Sequence, residues 1–225
     1  MAVQTRAIKR RIKSVTNTRK ITKAMELVAA SKMRKAVQSV LGTRPYAKLA
    51  WDTVGTIGRI TDTSLHPLLK EPDEVKSVLV VILTSDRGLA GGFNNNITKK
   101  TVSAVQKLGS DVKIDSICIG KRGGDAMRRA GIPVKAHFTG MTNKPLFEEI
   151  LPIGRMIIDE FINGGYDKVI IAYTDFKSAI SQEPILLDLL PLGTQEDLEK
   201  IGDVGEGKEI ELEKAKEYTF EPSPQ

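Results

Sequence analysis

Apolar residues near the amino end of the chain return every three or four positions: Ile8, Ile12 and Val15, then Ile21, Met25, Val28, Met33, Ala36 and Val40. That spacing places them on one face of an α-helix. The pattern runs from Val3 to Ile57, with few helix breakers before Gly42 and Pro45. Small residues (Ala24, Ala29, Ala30, Ser31, Ala36) lie among them and admit another backbone at close range, while a polar gap from Thr16 to Lys20 separates the two apolar sets. At ~1.5 Å per residue, a helix as far as Gly42 is on the order of 60 Å long, more than a compact domain needs. The pattern suits half of a coiled coil, or a rod held in a sleeve.

Beyond the turn signals Gly55, Gly58 and Thr61 to Ser64, with Pro67 and Pro72 further on, the periodicity changes. Ser77 to Thr84 is apolar on both faces, as expected of a strand in a parallel sheet covered by helices. A helix is expected from about Asn96 to Leu108, a strand from Asp115 to Ile119, a short helix over 121–130 and a strand from Val134 to Phe138. Leu146 to Asn163 has helical periodicity, Lys168 to Thr174 reads as a strand, and Ile180 to Leu190 as a further strand at an antiparallel edge. This alternation predicts an α/β fold, a doubly wound Rossmann-like domain attached to the long basic helix. The expected division is a helical segment over 1–60, the α/β domain over 75–193, an acidic Gly-punctuated loop over 194–217 and a terminal segment over 218–225.

Composition, with 40% hydrophobic and 28% charged residues, is that of a globular chain and not of a disordered one. The longest apolar run, Val78 to Leu83, falls far short of the roughly 20 residues that span a bilayer. Cys118 stands alone, and His66 and His137 lack metal-ligand spacing. Charge adds the most. Of the 34 basic and 28 acidic residues, thirteen and one respectively fall in the first fifty positions, which leaves the remainder at −6 against +12. Such a split implies an acidic partner for the helix. A transit peptide is also basic and acid-poor, but this pattern continues well past residue 30 into the body of the chain. An ordinary solvated helix face mixes its signs, so that charges three or four apart attract.

The segment Thr84-Ser85-Asp86-Arg87-Gly88-Leu89-Ala90-Gly91-Gly92-Phe93-Asn94 links the first buried strand to a helix, where a phosphate loop would sit. Its glycines would allow close backbone approach, and Arg87 could pair with an anion. Its spacing matches neither G-x-G-x-x-G nor G-x-x-x-x-G-K-[ST], and Gly120 and Lys121 stand where an acid would end the second strand. A tight strand-to-helix turn built on Asp86, Arg87, Gly88, Gly91 and Gly92 is the simpler reading. No serine, histidine or carboxylate set marks a catalytic centre, so no catalytic residue and no cofactor are assigned.

Residues 8–36, IKRRIKSVTNTRKITKAMELVAASKMRKA, resemble the amino-terminal shaft helix of gamma subunits of F-type ATP synthases. Ser85 to Asn94 (SDRGLAGGFN), Ser178 to Leu192 (SAISQEPILLDLLPL) and Tyr218 to Pro222 (YTFEP) are similar to three further blocks of that family, in the family's order, with Ala90 where many members have cysteine. The resemblance implies a non-catalytic central-stalk rotor subunit whose basic helix turns inside a ring of alpha and beta subunits. The α/β domain would meet the epsilon subunit and ride on the membrane c ring, so that proton flow drives conformational change at the catalytic sites.

Carried over residue by residue, the resemblance puts Arg10, Arg11, Lys13, Lys20, Lys23, Met25, Lys32, Arg34 and Lys35 on the surface facing the beta subunits. Tyr218, Phe220 and Glu221 fall on the foot at the c ring and epsilon. It further implies a peripheral location at the cytoplasmic face of a bacterial plasma membrane, without direct membrane insertion. Family members continue after the FEPSP-like segment into a long helix that pairs antiparallel with the first, so a chain stopping at Gln225 is expected to leave the stripe of Ile8, Ile12, Val15, Ile21, Met25 and Val28 without that partner. Two rivals remain. One is a nucleotide-dependent enzyme using the Ser85 to Asn94 loop; the other is a nucleic-acid binder using the basic helix. The second is weakened because Tyr46 and Trp51 lie beyond the main basic cluster, which leaves no interleaved stacking platform.

Overall fold

The computed structural model describes residues 2–60, 66–109, 111–143 and 145–192. The chain divides into two compact units, Met1–Ala50 and Trp51–Gln225.

The first 59 described residues form one helix, α1 (Ala2–Ile60), on the order of 90 Å long at ~1.5 Å per residue. It runs unbroken through the polar gap, where the threonines in and just beyond it return their hydroxyls to the helix's own backbone. Thr16 Oγ1 donates to Ile12 O at 2.8 Å, Thr18 Oγ1 to Ser14 O at 3.0 Å and Thr22 Oγ1 to Arg19 O at 3.0 Å. It also continues through the helix breakers Gly42 and Pro45, as the periodicity out to Ile57 predicts. Proline removes one backbone donor and crowds the preceding turn; Thr43 Oγ1 donates into that region, to Ser39 O and Val40 O, both at 3.1 Å.

In the second unit a five-stranded sheet runs β3-β2-β1-β4-β5. The elements follow in order: β1 (Ser77–Leu83), α2 (Phe93–Lys107), β2 (Lys113–Ile119), α3 (Lys121–Arg129), β3 (Val134–Phe138), a 3-10 turn (Met141–Asn143), α4 (Phe147–Ile162), β4 (Lys168–Phe176) and β5 (Gln182–Leu190). β1 pairs in parallel with β2 and β4, and β2 with β3, whereas β5 closes the edge antiparallel to β4. The chain builds outward from β1 to β3, then crosses back through α4 to β4. Keeping one crossover hand while reversing direction puts the returning helix on the opposite face.

The core confirms that arrangement. Val78, Val80 and Ile82 pack with Ile97 and Val105 of α2 and Met127 of α3. Leu79 and Val81 pack on the other face with Ile153, Ile157 and Phe161 of α4. β1 is apolar at every position after Ser77 because both faces are covered. The reversal of strand order falls between β1 and β4, so the turn after β1 lies at the switch point where α/β folds gather their functional groups.

Several bounds differ from the expectation by two or three residues: β2 begins at Lys113 and β5 at Gln182. α2 starts at Phe93, three residues early, since Gly92 takes the N-cap position and Asn94 turns its side chain back to the preceding loop. α3 contains Gly123 and Gly124, whose missing side chains are explained by contacts: a Cβ at 123 would meet Thr84 Oγ1 at 2.9 Å, and one at 124 the His137 ring at 2.6 Å.

Candidate functional site

Two surfaces carry the residues singled out in the sequence. On α1, Arg10, Arg11, Lys13, Lys20, Lys32, Arg34 and Lys35 are exposed and form no ion pair with described residues. Lys23 is exposed and pairs with Glu26 at 2.9 Å, a contact between i and i+3 that stabilises a helix by only a few tenths of a kcal/mol, ~0.2–0.5. Met25 is half exposed, as are Ile8, Ile12, Val15, Ile21 and Val28. α1 therefore offers a long rod on which uncompensated positive charge and large apolar side chains occur together.

The second surface is the turn after β1, whose residues bind one another. The first three amides of α3 lie at the carboxyl end of β2, and three successive loop residues satisfy them. Asp86 Oδ1 accepts from Lys121 N at 3.0 Å, Ser85 O from Arg122 N at 3.1 Å and Thr84 Oγ1 from Gly123 N at 2.7 Å. Gly120, the residue before α3, supplies no side-chain cap, so the cap comes from a different strand. The other Asp86 oxygen accepts from Gly140 N at 3.0 Å and Thr142 Oγ1 at 2.7 Å. One carboxylate thus ties together the ends of β1, β2 and β3. The Thr142 hydroxyl holds the Asp86 carboxyl below its ordinary value; partial burial opposes this, and the backbone amides of Lys121, Gly140 and Thr142 reinforce it.

The rest of the turn is fixed by Ser85 and Asn94. Ser85 N donates to Asn94 Oδ1 at 3.0 Å, Asn94 Nδ2 to Ser85 Oγ at 2.8 Å, and Ser85 Oγ to Arg87 O at 2.5 Å. Gly88 lies against the Arg122 guanidinium, which a Cβ would approach to 2.8 Å. Gly91 needs its glycine for a different reason, a φ of +56°. Gly92 sits at φ −80°, an ordinary backbone angle, but a Cβ there would come within 3.0 Å of Asn96 Nδ2. Leu89, absent from the sequence-derived set, has φ +64° and is 96% exposed. A non-glycine residue in that region costs about 1–3 kcal/mol, which the bonds of the surrounding turn must offset.

Gly120 explains why no acid ends β2. Its φ is +97°, and a Cβ there would lie 2.1 Å from Thr84 O. The amino end of α3 is filled by the chain's own oxygens, so the geometry supports a structural clasp at this turn. Sequence reasoning found Asp86 but not its partners Lys121 N, Gly140 and Thr142, nor the bond from Gly123 N to Thr84 Oγ1. Tyr218, Phe220 and Glu221, and the acidic loop over 194–217, lie outside the described residues. No helix among the described residues is long and apolar enough to cross a membrane.

Comparison with known proteins adds a consistent set of likenesses. A family model described as ATP synthase matches residues 4–225. The chain is similar to the ATP synthase gamma chain of Alkaliphilus metalliredigens, with 37% identity over 225 residues that cover 100% of this chain and 74% of that one. It is 38% identical to the gamma chain of Azoarcus sp. over 221 residues, 97% of this chain and 72% of the relative. The gamma chain of Chlorobium phaeobacteroides shares 35% identity over 224 residues, 96% and 72% of the two chains. Among solved structures it resembles a chain of the central stalk and c ring of the Tetrahymena thermophila mitochondrial ATP synthase. That match has a TM-score of 0.62 and 28% identity, and covers 76% of this chain and 72% of the other.

Proposed function

Because this chain belongs to the ATP synthase gamma-chain family, we propose that it acts as a non-catalytic rotor element, with α1 as the shaft inside a ring of alpha and beta subunits. It couples rotation of a membrane c ring, driven by protons, to the catalytic beta sites, and it works at the cytoplasmic face of a bacterial plasma membrane. The observation that carries this reading is the exposed surface of α1, with thirteen basic residues against Glu26 in the first fifty positions.

In free-energy terms the shaft is a ligand with unequal affinity for the conformations of each beta subunit. Moving a site from 1:99 to 99:1 takes about 5.5 kcal/mol of differential interaction. Exposed ion pairs contribute at most about 1 kcal/mol each, so many contacts must share the task. Charges acting over a Debye length of about 8–10 Å suit a contact that slides and releases. The α/β domain, with its clasped turn, forms the base that meets the epsilon subunit and the c ring; Tyr218, Phe220 and Glu221 are proposed for that foot.

The test is reconstitution with alpha and beta subunits, comparing the natural chain with Arg10→Glu, Arg11→Glu and Lys13→Glu combined. The expected result is at least a ten-fold loss of affinity for the head at low salt, narrowing as salt rises, with unchanged thermal unfolding of the α/β domain. Equal affinity in both forms across the salt range would sink the proposal.

A further inference from the structure

The clasp fills the amino end of α3, but the outer side of the same turn is open. A depression of about 340 Å³ lies between the first two turns of α2 and the exposed side of α3, with Gly88 to Gly91 along its edge. On α3 it is lined by Arg122, Ala126 and Arg129, at i, i+4 and i+7 on one helix face. On α2 it is lined by Asn95, Thr98 and Lys99, at i, i+3 and i+4. Small residues leave the room: Ala126 stands between the two arginines, and a Cβ at Gly91 would meet nothing within 4 Å.

Lys99, Arg122 and Arg129 have no ion pair among the described residues, and no carboxylate lines the depression. α2 and α3 together carry seven basic residues against one acid, Asp125, which faces Arg128 at 3.8 Å instead. Arg129 Nε donates to Asp125 O at 3.1 Å, which leaves its two terminal nitrogens to donate elsewhere. The amides of Asn94 and Asn95, in the first turn of α2, meet no backbone acceptor among the described residues. An ordinary solvated helix face mixes its signs. Here three cations from two helices border one concavity that holds no acid, and the field there favours an anion.

The lining also selects the chemistry of that anion. It has no aromatic side chain, and Leu89 is its one large apolar residue, so nothing in it recognises a base or a ring. Guanidinium and ammonium groups pair with phosphate oxygens through short, charge-assisted bonds. A terminal phosphate brings about −1.5 to −2 charges and three acceptor oxygens, against one charge and two oxygens for a carboxylate. Matching three cations in so small a volume would take several carboxylates of a peptide at once. Arg122 and Arg129 stand about 10 Å apart along α3 at ~1.5 Å per residue, a span that suits linked phosphates better than a single one.

We propose that the depression between α2 and α3 binds a short chain of phosphates, free or as the tail of a nucleotide, through Lys99, Arg122 and Arg129. The site lies within the α/β unit and does not depend on the rotor reading.

Isothermal titration calorimetry of the whole chain with sodium tripolyphosphate, at low salt and without divalent cations, tests it. One site per chain is expected, with affinity about ten-fold or more above that for inorganic phosphate and for citrate, a tricarboxylate. Lys99→Gln combined with Arg129→Gln should weaken binding about ten-fold or more without shifting thermal unfolding of the free chain, since neither side chain belongs to the clasp. Lys70→Gln combined with Lys107→Gln removes the same charge outside the depression and should change affinity less than about two-fold. ATP is the second probe. Affinity equal to that of tripolyphosphate assigns the phosphate chain alone, and markedly tighter binding assigns a nucleotide; either supports the site when the Lys99 and Arg129 replacements abolish it. Citrate binding as tightly as tripolyphosphate, or equal losses in the two double variants, overturns the proposal. So does an absence of binding at low salt, the result expected if the chain's own acidic loop over 194–217 occupies the depression. The α1 replacements described above leave this unit unaltered, so failure there and failure here are separate results.

Discussion

Asp86 accepts the hydroxyl proton of Thr142 at 2.7 Å, joining the end of β1 to the turn after β3 across 56 residues of chain. Because the same carboxylate also receives the amides of Lys121 and Gly140, a single side chain bonds to the ends of β2 and β3 from the end of β1.

Asp86→Ala should lower stability by about 2–3 kcal/mol, the range for losing hydrogen bonds to a charged acceptor. Urea denaturation at neutral pH measures it as a lower midpoint with an unchanged slope. A difference within about ±0.5 kcal/mol, the ordinary range for a surface change, would mean that water replaces the carboxylate without loss.

Acid sensitivity follows from the same site and from Asp167. Burial raises the Asp167 carboxyl, but the Ser77 hydroxyl and the amides of Lys76 and Ser77 outweigh it, and the group lies below its ordinary value of 3.8. Asp86 is likewise lowered from 3.8. With folded values below the unfolded ones, the stabilisation is fully present above the unfolded value and drains away as pH falls through the folded ones. Asp86→Asn and Asp167→Asn should each flatten the fall in stability below pH 3.8 while lowering stability at neutral pH. An acid limb of natural steepness in both variants would contradict the assignment.

Gly120 and Gly131 separate two causes that sequence alone merges. Both have positive φ, +97° and +74°, but only Gly120 has a neighbour within reach of a Cβ, Thr84 O at 2.1 Å. Gly131→Ala should cost about 1–2 kcal/mol, the strain of the left-handed region. Gly120→Ala adds displacement of the β1 backbone and should exceed about 4 kcal/mol, at the rare end for single substitutions. Equal losses in thermal unfolding would show that the Thr84 contact relaxes freely.

That pair shows where legibility stops. β1 is readable because burial on both faces leaves an unbroken apolar run, Val78 to Leu83, and β3 because its bounds are set by local turn residues. The edge position of β5 follows from its mixed pattern, and the strand does lie at the antiparallel edge. The clasp is not readable, because Thr84, Gly120 and Thr142 acquire their roles only when three strands align. Gly42 and Pro45 argue locally against continuation, yet the apolar periodicity from Val3 to Ile57 predicts a helix through them, and α1 does continue. The foot residues and the acidic loop add nothing to this comparison, since they lie outside the described part of the chain.

Gly124 and His137 form a testable couple. The His137 ring lies across Gly124, with Nε2 3.3 Å from Gly120 O and Nδ1 3.3 Å from Arg128 Nη2. A methyl group at 124 would come within 2.6 Å of the ring, so Gly124→Ala should cost about 1–3 kcal/mol as overpacking. Replacing His137 by alanine removes the obstacle. In the double variant the two losses should fail to add, by about 0.5 kcal/mol or more, which a double-mutant cycle in urea detects. Strict additivity would place the cost of Gly124→Ala elsewhere.

Pro45 is the weakest point of α1 by the chemistry of its backbone. It has no N–H to offer Leu41 O, and its ring presses on the turn that contains Gly42. Gly42 itself has nothing within 4 Å of where an alanine methyl group would stand, so Gly42→Ala is free of clash. Pro45→Ala should therefore stabilise the helix locally by up to about 3 kcal/mol, and Gly42→Ala by about 1 kcal/mol. Amide hydrogen exchange reads this directly, as slower exchange from Leu41 to Ala50 with no change in β1 to β5. On the rotor role proposed above, a stiffer rod transmits torque with less twist, so in a reconstituted complex Pro45→Ala should leave coupling intact or improve it. Slower exchange accompanied by lost coupling would instead show that a compliant segment at Gly42 to Pro45 is part of how the shaft works.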